Sequence, residues 1–429
     1  MAECHSSQLM STGSPKVYIT RQQNYGCILC GRCCRRFYVL LRRDEVRRLS
    51  ALDWGEERDV PQNFTEEIGG HPYFRRGTDG GCVFLDQEGA CRMHRRFGFD
   101  RKALTCRGYP FNIVSTYPGE VSVLARMDCP AVLRNHGRPL REQAGDIQKL
   151  VSELSFGHGF TETQLQGLTR SALERLTIQC QNILADDTLP MVDCAKLLMG
   201  LATRASQLGG IFLSDSNVPD IYPSLLKTLR DSLPDLPKYG FGLWGRSMFR
   251  QMMTAYCRRD EEMLDRRLLP RARHAVEIAR VVLGGGNLHR LGYEHPDFAI
   301  RKARIFRNWQ IKPTEASETQ RQTWECYRRF LSVRLECLQF FGVAYYGASV
   351  FHGLQALFLT YPMALALSRI HAMACRGETE LHSEDVEYAV SAIDHCHGRS
   401  PALNFHTARV REQALFPCFP QLVNALGCQ

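Results

Sequence analysis

Four cysteines in eight residues, Cys27-x2-Cys30-x2-Cys33-Cys34, restrict this chain more than any other feature. A C-x2-C turn brings two thiolates onto one side of a loop with the intervening amides aimed at the sulfurs. A third cysteine two residues on extends the wrap. Cys82, Cys91, Cys106 and Cys129 follow, with His94 just after Cys91. This density is too great for cysteines that merely pack as small hydrophobes. The first twenty residues show no basic start, apolar core and small-residue cleavage site, so the expected setting is reducing and cytoplasmic. In such a compartment clustered thiols serve as metal ligands more than as disulfides.

Spacing alone does not choose the metal. The first three cysteines match a bacterial-type iron–sulfur loop, whose fourth thiolate comes from a remote Cys followed by Pro, a part open to Cys129-Pro130 and also to Cys106. Gly31 after Cys30 instead suits a zinc knuckle, and zinc takes four thiolates, or three with His94. Eight cysteines exceed the four that one site needs, so either two sites share the segment or some cysteines are structural or redox-active. Successive side chains diverge, so only one of Cys33 and Cys34 is expected as a ligand.

With 429 residues, 44% hydrophobic and 23% charged, the chain has material for a sizeable core and two or three domains. Collagen-like, coiled-coil and disordered classes are excluded. Nine of the 18 cysteines fall within residues 4–129 and nine scatter over the rest, which implies two kinds of domain. Residues 1–20 are polar and read as a flexible arm. From 21 to 135 the text is short and punctuated: a strand from Phe37 to Leu41, a helix from Asp44 to Leu52, a turn at Asp79-Gly80-Gly81 before Cys82. A hairpin joins 111–116 to 120–125 through Tyr117-Pro118-Gly119. A module with so little core needs a staple.

Helical periodicity then runs near 143–155, 162–184, 192–207, 247–283, 316–346, 349–374 and 383–396, with 208–245 as a proline-punctuated connection. Trp324, Tyr327, Leu331, Leu335, Leu338 and Tyr345 form one buried stripe, with Arg334 among the polar residues between them. Ser383 reads as an N-cap. The expected fold is mainly α: a small cysteine-rich α+β metal-binding module (21–135), a larger all-helical domain (140–400) and a C-terminal tail (401–429). The isolated cysteines from Cys180 onward, Cys375 among them, are expected to pack.

In order, Cys27-x2-Cys30-x2-Cys33-Cys34, then Cys82-x8-Cys91-x2-His94, then Cys106-Arg107-Gly108-Tyr109-Pro110-Phe111 resemble the CxxCxxCC (YkgJ-type) cysteine-cluster family, which chelates zinc or iron. The resemblance covers about residues 24 to 131. It implies Cys27, Cys30, Cys33, Cys34, Cys82, Cys91, Cys106 and Cys129 as candidate metal ligands, without saying which four. The whole-chain layout also resembles the flagellin lysine N-methylase branch. That branch implies a 4Fe-4S cluster, S-adenosylmethionine as methyl donor and a lysine-bearing protein as substrate; the alternative is a non-enzymatic chelating module with a partner-binding helical domain.

Other chemistry is less well supported by the residues. Gly284-Gly285-Gly286 follows a helical run and reads as a helix terminus, not a nucleotide-binding turn, and the C-x3-C-x2-C loop of radical S-adenosylmethionine enzymes is absent. Arg107 beside Cys106 could lower a thiolate pKa or bind a cofactor carboxylate; a structural ion pair is the competing account. His395-Cys396-His397 looks like a metal tripod only on paper, because consecutive helical residues point apart. His352 is expected to be a hydrogen-bonded core histidine. The net charge of +9 comes with 46 Arg and 8 Lys and no long run of one sign. Arg266, Arg267, Arg271 and Arg273, and Arg301, Lys302, Arg304 and Arg307 near Phe306 and Trp309, therefore do not point to nucleic acid. Cys337 to Ser368 lacks charged residues but is broken by Gly and Pro, so two buried helices are expected there and no membrane span.

Overall fold

Among the described residues, seven short strands build the N-terminal part of the computed structural model: Lys16–Ile19 (β1), Asn24–Tyr25 (β2), Thr65–Ile68 (β3), His71–Phe74 (β4), Phe111–Ser115 (β5), Glu120–Ala125 (β6) and Arg138–Pro139 (β7). The structure describes residues 15–54, 63–156, 159–217, 220–233, 241–258, 268–292, 294–306 and 318–427. Cys4, Cys428, Arg266, Arg267, Arg307 and Trp309 lie outside them. The central sheet has the order β1-β6-β5. The expected hairpin is present, with Phe111 opposite Ala125 and Ser115 opposite Val121, and Gly119 takes the positive φ of 73° that its turn requires. β1 adds to the free edge of β6 in parallel, Lys16 opposite Glu120 and Ile19 opposite Val123. Residues 16–19, assigned from sequence to the flexible arm, are therefore ordered by backbone pairing.

Alternation along β6 explains how this sheet is buried on both faces. Val121 and Val123 meet Ile147 and Val151 of helix Ala144–Ser152. Leu124, on the other face, packs with Val333 and Cys337 of the helical domain. Around the sheet lie five short helices, Arg32–Arg36 (α1), Arg43–Ser50 (α2), Arg92–Phe97 (α3), Leu104–Gly108 (α4) and Pro130–Leu133 (α5). A separate small core, Val39, Leu41, Leu49, Phe64, Phe74, Phe84, Met93 and Ala103, joins α2, α3 and the β3–β4 hairpin; Cys82, Cys91 and Cys106 pack on its edge. A core this small is marginal on its own. The expected strand from Phe37 to Leu41 is reduced to a single bridge, Leu40 to Tyr73. Phe37, Tyr38 and Val39 all line one cavity, which strand alternation would forbid.

The remainder is helical, with breaks that periodicity alone did not reveal. The 162–184 segment divides into Glu162–Leu165 and Arg170–Ala185 at Gln166 and Gly167, whose φ values are 52° and 83°. The 247–283 segment is two helices, Leu243–Cys257 and Leu268–Val282, and the 316–346 segment ends as a helix at Glu336. Helix Leu268–Val282 stops before Gly284 at φ 90°, as a helix terminus does. The connection 208–245 holds helices Gly210–Ser214 and Tyr222–Ser232. The expected tail is part of the core: helices Pro401–Asn404, His406–Leu415 and Phe419–Ala425 bury Leu415, Phe419, Leu422 and Leu426, spaced three or four apart. His382, not Ser383, caps helix Ser383–Cys396, with Asp385 completing a capping box. Val350–Cys375 is long and apolar enough to cross a membrane, and 89% of its most apolar window is buried inside the protein.

Polar contacts lock the module onto helices Glu318–Glu336 and Ser383–Cys396. Glu336 accepts hydrogen bonds from Thr20 Oγ1 at 2.6 Å, Tyr18 Oη at 2.9 Å and the Arg21 amide at 3.0 Å. The Gln339 amide group donates to the carbonyls of Asn112 and Ser122. Asp394 Oδ2 accepts from the Met127 amide at 2.6 Å, two residues before Cys129. Arg334, read from sequence as a polar-face residue, is 1% exposed and donates to Asp394 Oδ1 at 2.6 Å.

Candidate metal centre

Gly31 sets the geometry of the cysteine-rich loop. It precedes α1 in the left-handed region at φ 64°, and a Cβ there would lie 2.3 Å from the Gly89 carbonyl oxygen and 2.8 Å from Leu85 Cδ1. The turn thus brings the Cys30–Cys34 segment against the 85–89 loop, which no side chain at 31 would permit. Gly31→Ala is expected to cost at least ~2 kcal/mol and to lower metal content together with stability. Denaturant unfolding with metal analysis would check this; a variant equal to the parent in both would refute the packing argument.

From α1, Cys33 and Cys34 face the same cavity, their sulfurs 3.9 Å apart. Neighbours on a helix are separated by about 100° in azimuth, which flexible χ1 angles can close, so both sulfurs reach the cavity. Cys82, Cys91 from the residue before α3, and Cys106 from α4 line the same cavity of about 370 Å³. Its other walls are Phe37, Tyr38, Val39, Tyr109, Phe111, Ile113 and Leu154, with Lys102, Arg126 and Asn112 as polar groups. Among the described residues, no three His, Cys, Asp or Glu side chains already surround an ion-sized point.

The thiols are not equivalent. Hydrogen bonding from Cys34 lowers Cys91 to about 6 despite burial, with the His94 and Met93 amides at the start of α3 and the Lys102 charge assisting. Cys33 is lowered to about 7 by Cys34, against burial and with help from Lys102. Cys34, hydrogen-bonded to both, holds its proton far more tightly. Burial raises Cys82 to about 12, although the Phe84 amide points at its sulfur, and burial also raises Cys106. Burial disfavours the Lys102 charge, but the surrounding cysteines Cys106, Cys91, Cys33 and Cys34 more than compensate. Amides and a cation aimed at sulfur are the environment in which thiolates, and so metal ligands, are favoured.

The remaining sequence candidates separate from this group. Cys27 and Cys30 are exposed; Cys129 is buried at the start of α5 and is raised to about 11 by burial against the Val132 and Ala131 amides. Cys27, Cys30 and Cys129 do not line the cavity and form an outer group; Cys27, Cys129 and Cys33 all act electrostatically on Tyr25, whose pKa burial raises first. His94 does not line the cavity; its ring meets Phe99 at 6.0 Å and its buried Nδ1 has no hydrogen-bond partner among the described residues. Arg107 does not line the cavity; its terminal nitrogens lie 2.7 and 2.5 Å from the Glu153 carboxylate.

His395, Cys396 and His397 diverge: His395 Nδ1 meets Asp128 at 3.1 Å, His397 Nδ1 meets Tyr256 Oη at 2.9 Å, and the Cys396 thiol meets the Tyr256 carbonyl at 3.3 Å. His352 Nε2 lies 3.3 Å from Glu412. Sequence reasoning missed Lys102, Arg126 and the aromatic wall. The only advance signal for Lys102 was its rarity as one of 8 lysines.

Residues 26–129 match the model of a family named CxxCxxCC and described as "Putative zinc- or iron-chelating domain". No curated protein and no solved structure matches the chain.

Proposed function

With residues 26–129 belonging to the CxxCxxCC family as premise, we propose that this chain is an iron–sulfur protein that methylates protein lysines with S-adenosylmethionine. The observation that carries the first part is that Cys33, Cys34, Cys82, Cys91 and Cys106 line one cavity while no three of them close on an ion-sized point. Thiols spread around a space of about 370 Å³ suit a multi-atom cluster better than a bare ion. A cluster bound there supplies a redox-active, Lewis-acidic iron centre; its ligands are drawn from these five cysteines.

The chain's own groups support a small-molecule site beside it. Phe37, Tyr38, Tyr109 and Phe111 give the cavity an apolar wall, with Arg126 over the rings of Phe37 and Tyr109, and Lys102 suits a carboxylate. The methylase reading rests on this cavity together with the layout of a cysteine module in front of a helical domain.

A second reading, a zinc-chelating module without catalysis, is favoured by one distance. The Cys33 and Cys34 sulfurs are 3.9 Å apart, and two thiolates on a tetrahedral zinc ion at about 2.3 Å are separated by about 3.8 Å. Anaerobic purification with iron, sulfide and zinc analysis and an absorption spectrum separates the two. Brown protein carrying iron and sulfide, with methyl transfer to a lysine-bearing protein, is the expected result. Colourless protein with stoichiometric zinc would overturn the cluster, and a loaded cluster without methyl transfer would overturn the enzymatic part alone.

A further inference from the structure

One cysteine of the helical domain does not pack as the others do. Among the described cysteines after Cys129, Cys375 alone is exposed. It ends helix Thr360–Cys375, and His371 stands one turn earlier with Nε2 3.5 Å from the Cys375 sulfur. The other ring nitrogen, Nδ1, lies 2.7 Å from Oδ1 of Asp385, a carboxylate with no exposed surface. Asp385 is itself fixed, accepting from the His382 amide at 2.8 Å and from Arg376. The imidazole also stacks on Tyr388 at 4.5 Å. So held, the ring donates Nδ1–H to the carboxylate, which leaves the Nε2 lone pair facing the thiol.

We propose that His371 and Cys375 form a second metal site, a two-donor chelate for a thiophilic divalent ion of the zinc class, with Asp385 as the positioning carboxylate behind the imidazole. The i, i+4 spacing places both donors on one face of the helix. Zinc–sulfur and zinc–nitrogen bonds of about 2.3 and 2.05 Å at the tetrahedral angle span about 3.6 Å, close to the separation that the thiol–imidazole contact already holds. A carboxylate on the distal nitrogen is the usual support of a metal-bound histidine. Water completes the coordination. Binding breaks the S–H bond, forms a sulfur–metal bond and releases the proton to solvent.

Local charge separates this site from a Cys–His–Asp nucleophile, which the same three residues also resemble. The negative end of the helix at Cys375 favours a cation and disfavours a thiolate. Glu378 and Glu384 lie nearby, with Arg376 as the opposing positive charge paired to them and to Asp385. A helix C-terminus presents carbonyls, not the donors that an oxyanion requires.

The test uses the full-length protein with its resident metal, treated with increasing Zn²⁺ and then pulsed with iodoacetamide. Alkylation of the Cys375 peptide is read by mass spectrometry, which keeps this site separate from the cysteine module. Zinc is expected to slow alkylation at least tenfold. Asp385→Asn should raise the zinc concentration needed by roughly 10- to 100-fold, and His371→Gln should abolish protection. An unchanged alkylation rate in the parent protein, or equal protection of His371→Gln, would overturn the chelate.

Discussion

Cys34→Ser is expected to strip the chain of most of its bound metal while the helical domain stays folded. Cys34 is the hub of the cavity group, since its sulfur lies 3.9 Å from that of Cys33 and its thiol lowers the pKa of both Cys33 and Cys91. Serine preserves the volume but offers a hard, protonated oxygen where a thiophilic metal needs sulfur. Metal per chain should fall at least ~10-fold, since loss of a ligand costs no less than loss of the outer-shell partners that orient one. The main helical core draws on residues remote from Cys34, such as Leu198, Phe249, Leu357 and Ile393, so helical circular dichroism should persist. The small core of Phe64, Phe74 and Phe84, with Cys82, Cys91 and Cys106 on its edge, should instead lose its staple and become protease-sensitive. Cys27→Ser supplies the contrast. Cys27 is exposed and lies outside the cavity, so most of the metal should remain. The reverse pattern, metal lost with Cys27 and kept without the Cys34 sulfur, would move the centre to the outer loop.

What the sequence made legible follows from how local each signal is. The β5–β6 hairpin was readable because its turn residues and alternation lie within fifteen positions. Helix Ser383–Cys396 was readable from an acidic first turn and a following glycine. The cysteine spacing marked a metal module, yet it could not divide eight candidates into a cavity group and an outer group. That division depends on α3 and α4 folding Cys91 and Cys106 back towards α1, and is set by the packing around Phe84 and Met93. β1 was missed because a four-residue edge strand depends on a partner a hundred residues away. The C-terminal helices were missed because short segments carry too few turns for their periodicity to stand out. Cys375 was misplaced for a similar reason: one cysteine on an apolar helix looks like core until the carboxylate beneath its histidine comes from another helix.

Asp394→Ala should produce the largest loss of stability of any single change in the helical domain, about 3–5 kcal/mol. Arg334 and Asp394 are both almost fully buried and 2.6 Å apart, and Asp394 also receives the Met127 amide and lies 3.4 Å from Arg399. Removing the carboxylate leaves Arg334 a hydrogen bond to the Gln339 carbonyl but no counter-ion among the described residues, and unpairs an amide two residues from Cys129. The Met127 amide that this carboxylate holds belongs to the module, so the damage should spread to the cysteine module. Burial raises the Asp394 pKa, but Arg399 and Arg334 outweigh it and hold the folded-state value below the ordinary 3.8. A folded pKa below the unfolded one stabilises above about pH 4, and that contribution is lost as pH falls through the folded value. Asp394→Asn keeps the shape and removes the charge. Its deficit against the parent, read from denaturant midpoints, should therefore be full at pH 7 and shrink below pH 4. A deficit that stays constant on acidification would mean that Asp394 acts through hydrogen bonding and packing alone.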